Sequence, residues 1–316
     1  MKSSIQVGIS SCLLGQHVRY DGGHKRSALC LEELGQLFDF VPTCPEAGAG
    51  LGVPRPAVRL TGDPAAPRAR GVDDPLLDVT DKLRAYAHAR VPELDGLCGY
   101  VFIRNSPSCG LFDVKLYADD GTLRDETSRG IFASTIVSTY PLLPVDEEGR
   151  LHDTRVRENF ITRVFALHEW KALAREGLDI GALTKFHARY KYTLMAQSLR
   201  HYGEIGRMLA SAGCDDIQHI ADRYITALMD GLKQYATRGT HANVLMHLQG
   251  YLKKHLDAQA KQELSVLIDE YRRGRVPLVA PIQLLRQHFD TYPDPYIARQ
   301  VYLQPRTDAV RAEIQP

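Results

Sequence analysis

Residues 5–15 read IQVGISSCLLG, a short apolar run followed by two serines, a cysteine and, three residues on, a glycine. An apolar run of this length, bounded by turn residues, predicts a buried strand over 5–10. Cys12 then falls two residues past the strand's carboxyl end. The same arrangement recurs twice. Residues 38–42 read as a strand with Cys44 two residues beyond it, and 99–104 as a strand with Cys109 a few residues further. Strands over 57–60, 76–79, 114–117 and 140–145 alternate with helices over 24–37, 81–91 (Thr80 as its cap) and 127–139. Gly/Pro-rich 48–56 cannot be regular helix. This alternation predicts an α/β domain on a mostly parallel, Rossmann-like sheet.

From residue 154 onward the apolar spacing turns helical and stays so, giving helices over 155–176, 180–199, 217–235, 242–256 and 261–273. Leu245, Leu248, Leu252 and Leu256 form one apolar stripe, and Thr240 is a candidate cap. The prediction is an all-α domain over 151–316 behind an α/β domain over 1–150, joined through acidic 146–153. A length of 316 residues suits two domains. No apolar run approaches the roughly 20 residues a membrane span needs, and 5–9 is too short for the core of a signal peptide. A cytoplasmic protein with no membrane partner is expected. In that compartment the six cysteines are buried thiols or metal ligands, not disulfides.

Parallel strands gather their carboxyl ends at one edge, so Cys12, Cys44 and Cys109 converge if their strands are neighbours. Three soft thiolates suit zinc or an iron–sulfur cluster. Their wide spacing resembles neither paired structural zinc ligands nor a ferredoxin run. The alternative is that each is a small buried hydrophobe, which is the preferred reading for Cys30, Cys98 and Cys214. Glu46, two residues after Cys44, is a candidate general acid/base. Ser106 is either a hydroxyl donor or a turn-stabilising serine before proline. Ser10, Ser11, Ser106 and Ser108 are candidate donors to sulfur, and RYDGG at 19–23 either holds a planar base or shapes its loop.

The net charge of +1 is unevenly spread: residues 1–150 hold 16 Lys+Arg against 20 Asp+Glu, and 151–316 hold 23 against 18. Residues 180–203 contain Lys185, Arg189, Lys191 and Arg200 without an acid, interleaved with Phe186, Tyr190, Tyr192 and Tyr202. Residues 231–256 contain Lys233, Arg238, Lys253 and Lys254, again without an acid. Cations with aromatics suit a nucleic-acid surface, although aromatics at helical spacing also serve as core.

The strings SSCLLGQHVRYDGGHK at 10–25, CPEAGAGLGVPRP at 44–56 and NSPSCG at 105–110 resemble the TudS-type thiouracil desulfidases. KYTLMAQS at 191–198 and THANVLMHLQGYLKKHL at 240–256 resemble the YbgA-type helical domain. The fusion resembles the RudS-type tRNA 4-thiouridine desulfidases. This resemblance implies a [4Fe-4S] cluster on Cys12, Cys44 and Cys109 with one iron lacking a protein ligand, and catalytic roles for Glu46 and Ser106. It also implies a tRNA carrying 4-thiouridine as partner, with Lys185, Arg189, Lys191, Arg200, Lys253 and Lys254 as RNA-binding candidates. A monomer is favoured, with the oligomeric state left open. Three other readings stand beside this one: a desulfidase of free thiouracil or thiouridine, a non-enzymatic cluster protein that senses oxidants while bound to nucleic acid, and a zinc protein.

Overall fold

The computed structural model describes residues 5–212 and 216–304, so Cys214 lies outside the described residues. The chain forms two compact units, Met1–His168 and Glu169–Pro316. Along the first come β1 (Gln6–Ser10), β2 (Asp39–Thr43), the single-turn helix α1 (Pro45–Gly48), β3 (Val58–Thr61) and β4 (Arg68–Gly71). Then follow α2 (Thr80–Arg90), β5 (Gly99–Phe102), β6 (Val114–Tyr117), β7 (Leu123–Ser128), α3 (Ile131–Thr139), β8 (Val145–Glu147) and the start of α4 (Thr154–Glu176).

One sheet has the order β2-β1-β5-β8, with every pair parallel. All of β5 and four of the five residues of β1 are buried, as expected of parallel strands covered on both faces. The chain runs from β1 outward to β2, then returns to lay β5 on the other side of β1. The order therefore reverses at β1, and the crevice beyond the carboxyl ends of β1 and β5 is where open α/β sheets bind ligands. Ile9, Val101, Phe160 and Val164 belong to the core of this unit, so the first turns of α4 pack within it. The second sheet, β4-β3-β6-β7, pairs β3 with β6 in parallel and its edges antiparallel. Leu60, Ala69, Leu83 and Leu116 form its core. The α/β reading of this half holds.

Several elements differ from the sequence reading, each for a local reason. The helix expected over 24–37 shrinks to a π-helical turn, Leu29–Glu33, followed by a 3-10 turn, Leu34–Gln36. Lys25 and Ser27 instead donate their N–H groups to the carbonyls of Cys12 and Leu13, both at 2.9 Å. The strand expected over 76–79 is a single bridge between Arg70 and Asp78, while β4 takes the edge position. Thr80 is not a cap: its hydroxyl accepts the Ala69 N–H at 2.8 Å. β7, with polar residues on both faces, carries no alternation to read. The acidic linker begins too early, because Asp146 and Glu147 are buried in β8.

The second unit is helical: the end of α4, then α5 (Ile180–Gln197), α6 (Leu199–Ala210), α7 (Ile217–Leu232), α8 (Arg238–Tyr251), α9 (Ala258–Arg272) and α10 (Val279–Thr291). The single helix expected over 180–199 ends at Ser198, whose side chain accepts the His201 N–H and so starts α6. Thr237, not Thr240, caps α8, the two forming a reciprocal capping box. The stripe Leu245, Leu248, Leu252, Leu256 is buried against Leu264, Ile268 and Leu285, the last on α10, which the sequence reading lacked. Among the described residues no helix is long and apolar enough to cross a membrane.

Candidate metal and catalytic site

The neighbouring order of β2, β1 and β5 brings their following loops together around a cavity of about 760 Å³ whose walls include Cys12, Cys44 and Cys109. Cys12 lies in a tight turn directly after β1, its carbonyl accepting from Gly15 and Lys25. Cys44 directly precedes α1, where the Ala47 and Glu46 amides favour its thiolate. Cys109 is held by the most densely bonded loop of the three. The Ser106 hydroxyl oxygen accepts the Ser108 and Cys109 N–H groups at 3.2 and 3.0 Å. Glu147 Oε1 accepts from Leu111 and Phe112 at 2.9 and 3.1 Å. The first amides of α3 donate to Pro107 and Ser108, which satisfies donors a helix start leaves open. Gly110 and Gly130 are required here. A Cβ on Gly110 would meet Val114 Cγ2 at 2.3 Å, and one on Gly130 would meet the Ser108 carbonyl at 2.6 Å.

Burial pushes the Cys12 thiol up to about 11, with Cys44 the next cause. Burial also raises Cys44, and carries Cys109 well above the usual range with Cys44 and Glu46 adding to it. Three thiolates in this space repel one another, so their ionisation calls for a positive centre among them. Among the described residues no three or more His, Cys, Asp or Glu side chains close on a single ion position. A cluster has irons at separate corners and accepts thiolates that line one cavity without meeting at a point. The donor set fits such a group.

Glu46 is fixed at both oxygens. Arg55 donates to Oε2 from Nε at 2.9 Å and also from Nη2, and Ser108 Oγ donates to Oε1 at 2.7 Å. The Arg55 and Glu46 side chains are only 4% and 12% exposed. Ser108 therefore serves the carboxylate rather than a sulfur, whereas the Ser10 hydroxyl favours the Cys109 thiolate. Both lone pairs of Ser106 Oγ are occupied by amides, which leaves its O–H free to donate and its oxygen unable to accept a further proton. The sequence reading gives Arg55 no role; its one signal is a cation in a Gly/Pro loop of the second motif.

The remaining described cysteines behave as core. Cys30 and Cys98 are buried among Leu29, Leu34, Val101 and Val164, and burial raises Cys30 to about 12. Of the basic candidates in the helical unit, Lys185, Lys253, Lys254 and Arg200 are exposed. Arg200 lies 3.6 Å from Glu204, just past the acid-free stretch, and Arg189 pairs at 3.2 Å with Glu169, which lies well before it. Lys191 stands over the Tyr192 ring. The proposed stacking aromatics Phe186, Tyr190 and Tyr192 are buried, so they are core and not open faces.

Residues 7–148 match the family model described as 2-thiouracil desulfurase. Residues 191–306 match the one described as a protein of unknown function, DUF1722. Uncharacterized protein YbgA of Escherichia coli (strain K12) is 36% identical over 151 residues, covering 48% of this chain and 89% of that protein. A solved structure of the [4Fe-4S]-dependent thiouracil desulfidase TudS is 26% identical with a TM-score of 0.39, over 48% of this chain and 95% of that one.

Proposed function

Because the chain belongs to the family of YbgA and carries a desulfurase-type domain ahead of the YbgA-like one, we propose that it removes sulfur from 4-thiouridine in tRNA, leaving uridine. The observation that carries this reading is one cavity holding three cysteines from neighbouring strand ends beside a carboxylate locked in place by Arg55 and Ser108. A cluster sensor has no use for that fixed carboxylate. Cys12, Cys44 and Cys109 would hold a [4Fe-4S] cluster, whose iron without a protein ligand supplies Lewis acidity toward sulfur.

The residues supply the proton chemistry. A thiocarbonyl and one water give a carbonyl and hydrogen sulfide, with no net oxidation or reduction. Glu46 takes the proton of the attacking water, and Arg55 keeps the carboxylate oriented while it does so. Ser106, able only to donate, holds the base by a hydrogen bond from its O–H, while the proton that leaves with the sulfur is the one Glu46 has taken from water. Exposed Lys185, Lys253 and Lys254 of the helical unit add sequence-independent hold on the RNA backbone. The described cysteines are free thiols, which suits a reducing cytoplasm.

The test is anaerobic reconstitution with iron and sulfide, then incubation with tRNA containing 4-thiouridine. Loss of the thiouridine absorbance with matching sulfide release is expected. A full cluster with no sulfide released from thiolated tRNA, nucleoside or free base would overturn the enzyme reading.

A further inference from the structure

Gly8 is the residue of β1 without a side chain, and the strand register shows what uses the space. Gly8 stands opposite Tyr100 of β5, and Ser10 stands opposite Thr43 of β2. Alternate residues of a strand share a face, so Gly8, Ser10, Thr43 and Tyr100 lie on the same face of the sheet. A Cβ on Gly8 would run into Cδ2 and Cε2 of Tyr100, so the bare backbone is what lets that ring lie across β1. Stacking on Phe102, with ring centroids 4.1 Å apart, fixes the ring's plane. Three neighbouring strands therefore bring three hydroxyls to one face, at the strands from which the cysteine loops continue.

The hydroxyl of Ser10 is employed: it accepts the Ile103 N–H at 3.0 Å and favours the Cys109 thiolate. The other two are not. Tyr100 is fully buried and Thr43 nearly so, and neither hydroxyl oxygen has a hydrogen-bond partner among the described residues. Burying a hydroxyl with nothing to bond costs stability, and Phe at position 100 would fill the same space without that cost. The surroundings of the phenol indicate its missing partner. Burial carries Tyr100 well above its usual range, the Cys109 thiolate pushes it further, and the Thr43 hydroxyl acts in the opposite direction. Beside that thiolate the phenol keeps its proton and can donate it. Thr43, which favours the phenolate, is placed to donate to the Tyr100 oxygen.

We propose that Tyr100 is a positioning residue for the cofactor, its O–H donating to the Cys109 sulfur once that sulfur is a ligand thiolate. Thr43 orients it by donating to the phenol oxygen, and a chained donor is a stronger one. The proposal rests on the cluster reading above. A donor on a ligand thiolate draws charge from the sulfur, which raises the cluster's reduction potential and weakens the iron–sulfur bond.

The test uses full-length protein reconstituted anaerobically, with iron and sulfide matched between wild type, Tyr100→Phe and Thr43→Val. Dye-mediated reduction reads the potential, and resonance Raman reads the iron–cysteine stretch. Tyr100→Phe should move the potential down and the stretch up. Thr43→Val should follow by less, and the double variant should match Tyr100→Phe alone, because Thr43 acts through it. In the cluster-free protein Tyr100→Phe should unfold at no lower denaturant concentration than wild type, since the hydroxyl has no bond to lose. Tyr224→Phe removes another fully buried, unpartnered hydroxyl, in the helical unit, and should leave potential and stretch unchanged. An unmoved potential and stretch in loaded Tyr100→Phe, equal shifts in Tyr224→Phe, or earlier unfolding of cluster-free Tyr100→Phe would overturn the proposal and leave the cluster reading standing. A wild-type chain that takes up no iron and sulfide would end both.

Discussion

The cysteine loops of the first unit and helix α5 of the second both concentrate polar side chains, by opposite means. In the loops the polar groups bind one another: Arg55 to Glu46, Glu46 to Ser108, Ser106 to the Cys109 amide, and Glu147 to the amides of Leu111 and Phe112. On α5 the aromatics turn inward and the cations outward, each cation with its own surroundings: Arg189 on Glu169, Lys191 over Tyr192, Lys185 in water. A network of buried groups has one geometry, and losing a member disturbs the others. A set of surface charges acts by summed field, and losing one removes a fraction. Substitutions in the two regions should therefore differ in size.

The largest contrast lies among the cysteines. Cys12→Ala, Cys44→Ala and Cys109→Ala should each abolish cluster and activity, while Cys30→Ala and Cys98→Ala keep the cluster at a cost of about 1 kcal/mol of stability. Iron and sulfide analysis decides this, and full iron in Cys109→Ala would break the comparison at its root. Next comes the clamp. Glu46→Ala should keep the cluster and lose turnover about a hundredfold. Arg55→Ala should also slow turnover and cost about 3 kcal/mol, because it leaves a buried carboxylate unpaired. Rates at matched iron content, with denaturant unfolding, measure both; a wild-type rate in Glu46→Ala would remove its role.

A smaller effect belongs to the helical unit alone. Burial holds His187 and His241 down to about 4. Their unfolded forms take up protons below about pH 6.5, so stability is full above that pH and falls as the pH drops toward 4, by at most about 3 kcal/mol for each ring. The chain's one tryptophan, Trp170, packs 5.7 Å from Phe186 and 5.6 Å from Tyr224, so its fluorescence follows this unit. The acid transition should move to lower pH in His187→Leu; an unmoved transition would count against buried histidines as its cause. The smallest effect is expected on the surface. Lys185→Ala, Lys253→Ala and Lys254→Ala should each weaken tRNA binding modestly, lowering the salt slope by roughly 0.7–0.9 for every phosphate left without its cation. Filter binding across a salt series reads it, and an unchanged slope in the triple variant would deny these lysines the RNA.

What was legible in the sequence follows the same division. Cys12, Cys44 and Cys109 were readable because a buried parallel strand fixes where its following loop begins, and neighbouring strands bring those loops together. The roles of Ser108 and Arg55 were not, since the direction of a side chain in a loop depends on bonds made across it, from Glu46 to residue 108 and back to residue 55. In α5, Phe186 and Tyr190 are four residues apart on one helix face, which is core spacing, and charge alone could not say which way they point. β7 escaped because an exposed edge strand needs no apolar face.

The loop around Cys109 has one more consequence. With amides 108 through 112 tied to Ser106 and Glu147, and its carbonyls meeting the start of α3, its shape is set by the polypeptide and not by any guest. A cofactor arriving at the cavity meets one finished wall. A change that loosens this wall, such as Gly130→Ala with its Cβ against the Ser108 carbonyl, would displace Cys109 while every group lining the cavity stayed chemically the same.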